Sequence, residues 1–209
     1  MEKLSLVQFK KGLILTLTTA GILFLLNGLI GKNELFLLLN ADMGKLADHL
    51  FNFITYMGDG IWWILILIVF ILFRIKFLPV LFFSFAFSEI FIESFKYFIL
   101  PGEPRPITAI ADTNLIHTVT GVELHTIASF PSGHTTQAFI FYLLACLMIN
   151  KKWLVAIGFL YAALIGYSRV YLAQHFPRDL AGGMLFASIS VFLSVLIYKK
   201  WFEQKKALQ

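Results

Sequence analysis

The sequence predicts an all-α integral membrane protein that folds as a bundle of six transmembrane helices. Of its 209 residues, 59% are apolar or aromatic and only 14% are charged, and the mean hydropathy is +0.82. Soluble domains are about 45–50% apolar and about 25% charged. The composition therefore excludes a disordered chain, a soluble enzyme and a coiled coil, and it indicates that much of the protein surface faces lipid.

Six apolar stretches have the composition expected of membrane spans, for which a helix needs about 20 residues to cross about 30 Å of hydrocarbon. The first stretch carries no charge and no small-x-small cleavage pattern follows it, so we interpret it as a retained helix rather than a signal peptide. The predicted spans are about 12–30, 61–77, 79–100, 135–149, 153–171 and 180–198. We expect residues 1–209 to form a single membrane domain.

Two connections between the predicted spans are long. Residues 31–60 mix leucines with charged residues, which favours a loop and an amphipathic helix lying in the membrane interface. Residues 101–133 open with two prolines and a glycine and are too polar to span. The other connections are tight turns near Arg74, Lys151 and Arg178.

The basic residues indicate the orientation, because cytoplasmic loops of membrane proteins carry an excess of lysine and arginine. With the N-terminus inside, the inner segments hold most of the 17 basic residues, namely Lys3, Lys10, Lys11, Arg74, Lys76, Lys151, Lys152, Lys199, Lys200, Lys205 and Lys206. The outer side holds Lys32, Lys45, Lys96, Arg105, Arg169 and Arg178. Both termini are therefore expected in the cytoplasm. The sequence has no basic stripe with interleaved aromatic residues, so we expect no nucleic-acid partner.

The unusual polar residues of the chain collect at the predicted outer boundary in three clusters. Each cluster lies where a predicted span begins or ends, so helix ends far apart in sequence would bring the clusters together. They are Lys96 with Arg105-Pro106, then Pro131-Ser132-Gly133-His134, and finally Ser168-Arg169 with His175 and Asp179.

The first chemical feature of these clusters is their capacity to bind an anion. Lys96, Arg105 and Arg169 supply three cations, and the planar arginine forks match the oxygens of a phosphate group. Ser132 and Gly133 lie where a helix should begin, so free backbone N–H groups and the positive end of the helix dipole face the same place. The clusters therefore predict an oxyanion site, with phosphate as the anion.

The second chemical feature is the pair of histidines. A carboxylate beside a histidine fixes the proton on one ring nitrogen and leaves the other free to attack, which fits His175 as a nucleophile oriented by Asp179. His134, at another helix end, could protonate the leaving oxygen as a general acid. Taken singly, each cluster has an ordinary explanation as a helix cap, a packed histidine or an interfacial anchor. Together on one predicted membrane face, they favour an active site.

The motifs Arg105-Pro106, Pro131-Ser132-Gly133-His134 and Ser168-Arg169-x5-His175-x3-Asp179 resemble the three-part signature of the type 2 phosphatidic acid phosphatase superfamily. That superfamily includes membrane lipid phosphatases, glucose-6-phosphatase and vanadium haloperoxidases. The resemblance implies hydrolysis of a phosphomonoester or diphosphate through phospho-histidine, with no metal or other cofactor. The first motif departs from the pattern, because the lysine expected at position 98 is replaced by Phe98, and Lys96 lies two residues earlier.

The resemblance implies a lipid phosphate or diphosphate as the substrate and membrane lipids as partners. We expect a bacterial inner-membrane enzyme with its active site on the outer face, and undecaprenyl diphosphate as the first choice of substrate. Phosphatidylglycerophosphate, phosphatidic acid and lipid A phosphate stay open, as does a homodimer. A vanadium haloperoxidase and a non-catalytic lipid-phosphate carrier are the alternatives from other classes.

Several other charged residues lie near the predicted outer face. Glu89, Glu93 and Lys96 share one stripe of the third span, and we interpret Glu93 as neutralising Lys96. The outer loops add polar side chains that could contact a headgroup but that we interpret as solvated loop residues. These are His49, Asp59, Asp112, His117, Glu123 and His125.

Overall fold

The computed structural model describes residues 4–207, with side chains as far as Trp201. Within these residues every element of regular secondary structure is a helix. The helices are α1 Leu6–Ile30, α2 Lys32–Leu39, α3 Lys45–Thr55, α4 Trp62–Phe73, α5 Leu78–Glu93, α6 Pro106–Ala109, α7 Gly133–Met148, α8 Trp153–Tyr171 and α9 Pro177–Ala207. Three residues used in the topology prediction lie outside the described side chains, namely Lys3, Lys205 and Lys206.

Four helical segments are long and apolar enough to cross a membrane, namely Leu6–Ile30, Ile75–Ile99, Trp153–Tyr171 and Pro177–Trp201. A fifth results if Lys45–Gly58 and Trp62–Phe73, which meet at an angle of 51°, are counted as one broken span. The all-helical membrane fold is confirmed, but the number of six spans is not.

The helices at two of the predicted spans are short. The second ends at Phe73, after 12 helical residues, and Arg74 at its C-cap starts the turn into α5. The fourth, α7, has 16 residues. Both are below the length that crosses the hydrocarbon without help from a neighbouring segment.

The segment 31–60 differs from the expected loop with one amphipathic helix, because it forms both α2 and α3. The helix α2 buries Leu35 and Phe36. The helix α3 packs against α8, where the ring of Phe51 lies 4.7 Å from that of Tyr171. These buried apolar contacts stabilise helices that are too short to persist alone in water.

The centre of the bundle is α9, which packs against α1, α5 and α7. Its early turns approach the start of α7 closely at Gly183, where a Cβ would lie 2.9 Å from the carbonyl oxygen of Ser132 and 3.1 Å from the amide nitrogen of Thr136. Both of those atoms belong to backbone, so only a glycine fits. The contact brings the N-termini of α7 and α9 side by side.

Candidate active site

The three polar clusters meet where α7 and α9 begin and α8 ends. His175 lies in the turn that joins α8 to α9, and Asp179 lies in the first turn of α9. Both side chains are buried, with 2% and 0% of their surface exposed. The sequence separations predicted this meeting, and the fold accomplishes it through the close contact of α7 with α9.

The carboxylate of Asp179 is held in place beside His175. Its Oδ2 accepts hydrogen bonds from Ser129 Oγ at 2.6 Å and from the amide of Phe176 at 2.9 Å. The same oxygen lies 3.5 Å from Nδ1 of His175. Nδ1 is therefore the ring nitrogen that faces the carboxylate, and Nε2 is the nitrogen left for another partner.

The environment of His175 favours its neutral form. Burial, followed by the positive charges of Arg105 and Arg169, holds the pKa of His175 well below its usual range. A neutral imidazole carries the lone pair that a nucleophile needs. The charges around His175 are thus compatible with attack on an electrophile at neutral pH.

The guanidinium of Arg105 is fixed by backbone carbonyls of two loops. Its Nε donates to Ile127 at 2.9 Å, and its Nη1 donates to the carbonyl of Gln174 at 3.1 Å. Ala128, whose carbonyl accepts from Nη2 at 3.4 Å, has a φ of 58°, in the left-handed region that disfavours alanine. Such strained backbone is found at sites where the surrounding structure over-determines the geometry.

Arg169 lies on the other side of the site, in the last turn of α8, and only 8% of its surface is exposed. Its Nη1 donates to Thr55 Oγ1 at 2.6 Å. Its buried Nε has no hydrogen-bond partner in the described part of the chain. A donor of this kind is available to an anion.

Lys96 lies in a π-helical turn, Ser94–Ile99, in which the amide of Leu100 donates to the carbonyl of Phe95. Its charge is close enough to contribute, after the two arginines, to the lowered pKa of His175. π-turns change the direction in which helical side chains point and often occur at functional sites. The shifted position of the lysine in the first motif therefore coincides with a local change of helix type.

The start of α7 forms a cradle of backbone amides. Ser132 is the N-cap, and its Oγ accepts from Oγ1 of Thr135 at 2.9 Å and from the amide of Thr135 at 3.4 Å. The hydroxyl predicted to bind phosphate thus caps the helix through its oxygen, and a hydroxyl that accepts these bonds can still donate its proton to an anion. At Gly133 a Cβ would meet nothing within 4 Å, so open space lies in front of this turn.

His134 faces a cavity of about 310 Å³. Its Nε2 lies 2.8 Å from Oδ1 of Asp59, a residue of the turn before α4. The cavity wall is formed by Asn52, Thr55, Tyr56, Asp59, Gly121, Val122, Glu123, His125, His134, Arg169 and Gln174. Arg169 thus connects the two histidines, because it lines the cavity with His134 and its charge, after burial and the charge of Arg105, lowers the pKa of His175.

The match to a family model decides the family of this chain. Residues 77–203, which contain all three clusters, match the model of the PAP2 superfamily. The chain belongs to the PAP2 superfamily. An undecaprenyl-diphosphatase of Sulfolobus acidocaldarius is 31% identical over 175 residues, which cover 80% of this chain and 79% of that protein. The chain is thus a phosphatase of the PAP2 superfamily and an integral membrane protein.

Two solved structures of PAP2 proteins resemble this one. LpxE of Aquifex aeolicus is 32% identical, with a TM-score of 0.68, over 78% of this chain and 93% of LpxE. A transmembrane PAP2-type phosphatidylglycerolphosphate phosphatase of Bacillus subtilis has a TM-score of 0.60 at 22% identity, over 98% of both chains. The second likeness concerns the fold.

Two residues of the site lie before the PAP2 segment, and sequence reasoning did not assign them to it. Thr55 contacts Arg169, and Asp59 contacts His134. Asp59 was expected to be a solvated loop residue. Ser129 and Gln174 were also missed, although each lies within two residues of a predicted motif, and that proximity is a signal that could have found them.

The structure also brings together Asp42, Asp48 and His117, whose ligand-type atoms lie within 4.8 Å of one another. The sequence predicted no metal site, because these residues belong to distant segments. In the grouping, Asp48 Oδ1 accepts from Tyr171 Oη at 2.6 Å and lies 3.0 Å from Nε2 of His117. The carboxylate of Asp48 thus links α3 to α8 and to the long loop.

Proposed function

We propose that the chain hydrolyses a lipid phosphate or diphosphate through a covalent phospho-histidine at His175. The observation that carries the proposal is a buried histidine whose Nδ1 lies 3.5 Å from Oδ2 of Asp179, in a place where burial and the cations Arg105 and Arg169 lower its pKa. Nε2 of His175 attacks phosphorus, and the bond between phosphorus and the leaving oxygen breaks. His134 gives that oxygen a proton.

Water then gives a proton to His134 and attacks the phosphorus of phospho-histidine, the bond between phosphorus and Nε2 breaks, and inorganic phosphate, neutral His175 and protonated His134 result. In both steps negative charge accumulates on the equatorial oxygens of phosphorus. Arg105, Arg169 and Lys96, together with the backbone amide of Gly133, are the groups proposed to stabilise that charge. Ser132 contributes by holding the first turn of α7 in the conformation that presents this amide.

Undecaprenyl diphosphate is the proposed substrate. The similarity to the undecaprenyl-diphosphatase of Sulfolobus acidocaldarius over most of both chains supports this choice. Lipid A phosphate is the second candidate, because a lipid A 4'-phosphatase of Bacteroides thetaiotaomicron is 31% identical to this chain over 71 residues. Phosphatidylglycerophosphate and phosphatidic acid are further candidates, since the groups proposed to bind phosphate recognise no particular lipid tail.

The phosphatase experiment measures phosphate release by the detergent-purified protein in EDTA. Undecaprenyl diphosphate, phosphatidylglycerophosphate, phosphatidic acid and a lipid A phosphate are assayed in parallel, with His175→Ala as the matched blank. Release that vanishes in the variant supports the histidine mechanism, and the ranking of rates identifies the substrate. If folded protein moves lipid phosphates between leaflets without releasing phosphate, the chain is a carrier and the proposed function is wrong.

We further propose six spans in a bacterial inner membrane, with both termini in the cytoplasm and the site on the outer face. The excess of lysine and arginine on the inner segments supports this orientation. Labelling with a membrane-impermeant maleimide tests it in a Cys146→Ala background. Asp112→Cys should react in intact cells, whereas Lys151→Cys should react only after lysis. The opposite pattern would reverse the orientation.

A further inference from the structure

We propose that Asp59 is a positioning residue for the general acid, which holds His134 through its Nε2 so that Nδ1 delivers the proton to the leaving oxygen. The inference rests on the phosphatase activity proposed above and assigns a role to a residue outside the PAP2 segment. Its basis is the 2.8 Å contact between Oδ1 of Asp59 and Nε2 of His134.

The turn that carries Asp59 is built to lie against His134. A Cβ at Gly58 would lie 3.1 Å from both Cβ and Cδ2 of His134, and 2.7 Å from Cγ2 of Ile165. Gly58 is itself buried. A side chain at position 58 would collide with His134 and Ile165, so glycine lets the backbone before Asp59 lie in close contact with the imidazole. This contact fixes the position of the Asp59 carboxylate relative to the ring.

A second contact ties the same region to the phosphate site. Thr55, one helical turn before Asp59, accepts the hydrogen bond from Nη1 of Arg169 at 2.6 Å. The segment 55–59 thus supports one proposed phosphate ligand and the proposed general acid together. Both side chains line the same cavity as His134 and Arg169.

The charges around His134 explain why a carboxylate is needed there. A general acid must begin the reaction protonated, yet burial and then the neighbouring cations Arg169, Lys96 and Arg105 oppose a positive charge on the ring. The carboxylate of Asp59 supplies the opposite charge in direct contact. It also directs the Nε2 proton to itself, so that Nδ1 is the ring nitrogen that exchanges a proton with the substrate.

The experiment compares leaving groups. Phosphatidic acid loses an alkoxide that needs a proton, whereas p-nitrophenyl phosphate loses a stable phenolate that does not. We expect Asp59→Asn to lower kcat/KM for phosphatidic acid about 100-fold, the scale of general acid catalysis, and for p-nitrophenyl phosphate less than about fivefold. Asp112→Asn is the matched control, because it removes a carboxylate from an exposed turn of the long loop that does not line the cavity. It should leave both values within about twofold of wild type.

A double-mutant cycle with His134→Ala tests whether Asp59 acts through His134, and it applies to any lipid phosphate that the wild type cleaves. Asp59→Asn should add less than about threefold to the loss caused by His134→Ala, because the residue it positions is already gone. Equal losses of kcat/KM for phosphatidic acid and p-nitrophenyl phosphate in Asp59→Asn would overturn the role of Asp59. A double variant whose loss of kcat/KM equals the product of the two single losses would overturn it as well. A His175→Ala protein that still releases phosphate would instead contradict the proposed function, so the two failures are distinguishable.

Discussion

The amide of Ser132 donates a hydrogen bond to the main-chain carbonyl of Asp179, at a distance of 3.0 Å. This bond joins the N-cap of α7 to the first turn of α9. The side chain of Asp179 meanwhile lies beside His175. Asp179 therefore sets the position of the proposed nucleophile, His175, relative to the first turn of α7. A shift of α9 would displace both His175 and this turn.

Ser129→Ala should lower kcat about tenfold with little change in KM. The substitution removes the 2.6 Å hydrogen bond to Oδ2 of Asp179, so the carboxylate is less well oriented toward His175. Loss of a buried hydrogen bond to a charged group should also lower the free energy of unfolding by about 1–3 kcal/mol. Steady-state kinetics and thermal unfolding in detergent measure the two effects.

Ser188→Ala is the control for Ser129→Ala. Its Oγ is also buried but donates only to the carbonyl of Met184 within α9. It should keep the wild-type kcat. If Ser129→Ala also keeps the wild-type kcat, Ser129 has no part in orienting Asp179.

Arg169→Lys should reduce kcat/KM about 100-fold, the scale observed when a preorganised donor to transition-state charge is lost. Lysine keeps the charge but cannot donate to Thr55 and to a phosphate oxygen from one rigid plane. Arg74→Lys is the control and should keep wild-type activity, because Arg74 is the C-cap of α4 and lies outside the proposed site. Equal activity of Arg169→Lys and wild type would show that charge alone suffices at this position.

Acidification should destabilise the wild type more than His175→Gln. The pKa of His175 is lowered in the folded state. Below about pH 6.5, the ordinary pKa of histidine, this side chain is therefore protonated in the unfolded chain but stays neutral in the folded protein. Stability is therefore lost as the pH falls, by up to about 1.4 kcal/mol per pH unit from this group. Apparent Tm values in detergent between pH 7.5 and 5 measure the slope. A variant slope as steep as that of the wild type would contradict the assignment.

Gly183→Ala should lower the free energy of unfolding by about 1–3 kcal/mol, the usual cost of overpacking, and should reduce activity with it. The new methyl group would meet backbone atoms of Ser132 and Thr136, which cannot rotate away. Gly21→Ala is the control, because a Cβ there meets nothing within 4 Å. Unchanged Tm and kcat in Gly183→Ala would show that α7 and α9 can separate without consequence.

Much of the proposed site could be predicted from sequence because its residues lie in motifs with fixed spacing. His175 and Asp179 are one helical turn apart, and Ser132 with Gly133 marks a helix start, so local structure alone predicts their arrangement. Asp59 could not be predicted in this way. Its contact with His134 depends on how the turn before α4 packs on α7, and no local periodicity encodes that contact.

The fold was predictable to a similar degree. Hydropathy identified the apolar helices, but it could not reveal that the segment 31–60 forms both α2 and α3 or that α3 and α4 meet at 51°. Those features depend on helix packing. The hydropathy pattern likewise gave no sign of the π-turn at Ser94–Ile99.

The buried guanidinium groups of Arg105 and Arg169 have a consequence for the steady state in a cell. Cations that stabilise a phosphoryl group in transit also retain the free anion after it is cleaved, because the charge they neutralise is still present. Orthophosphate would then compete with fresh lipid for the empty enzyme. The rate of phosphate removal from the lipid would therefore fall as the phosphate concentration rises in the compartment into which the cavity opens.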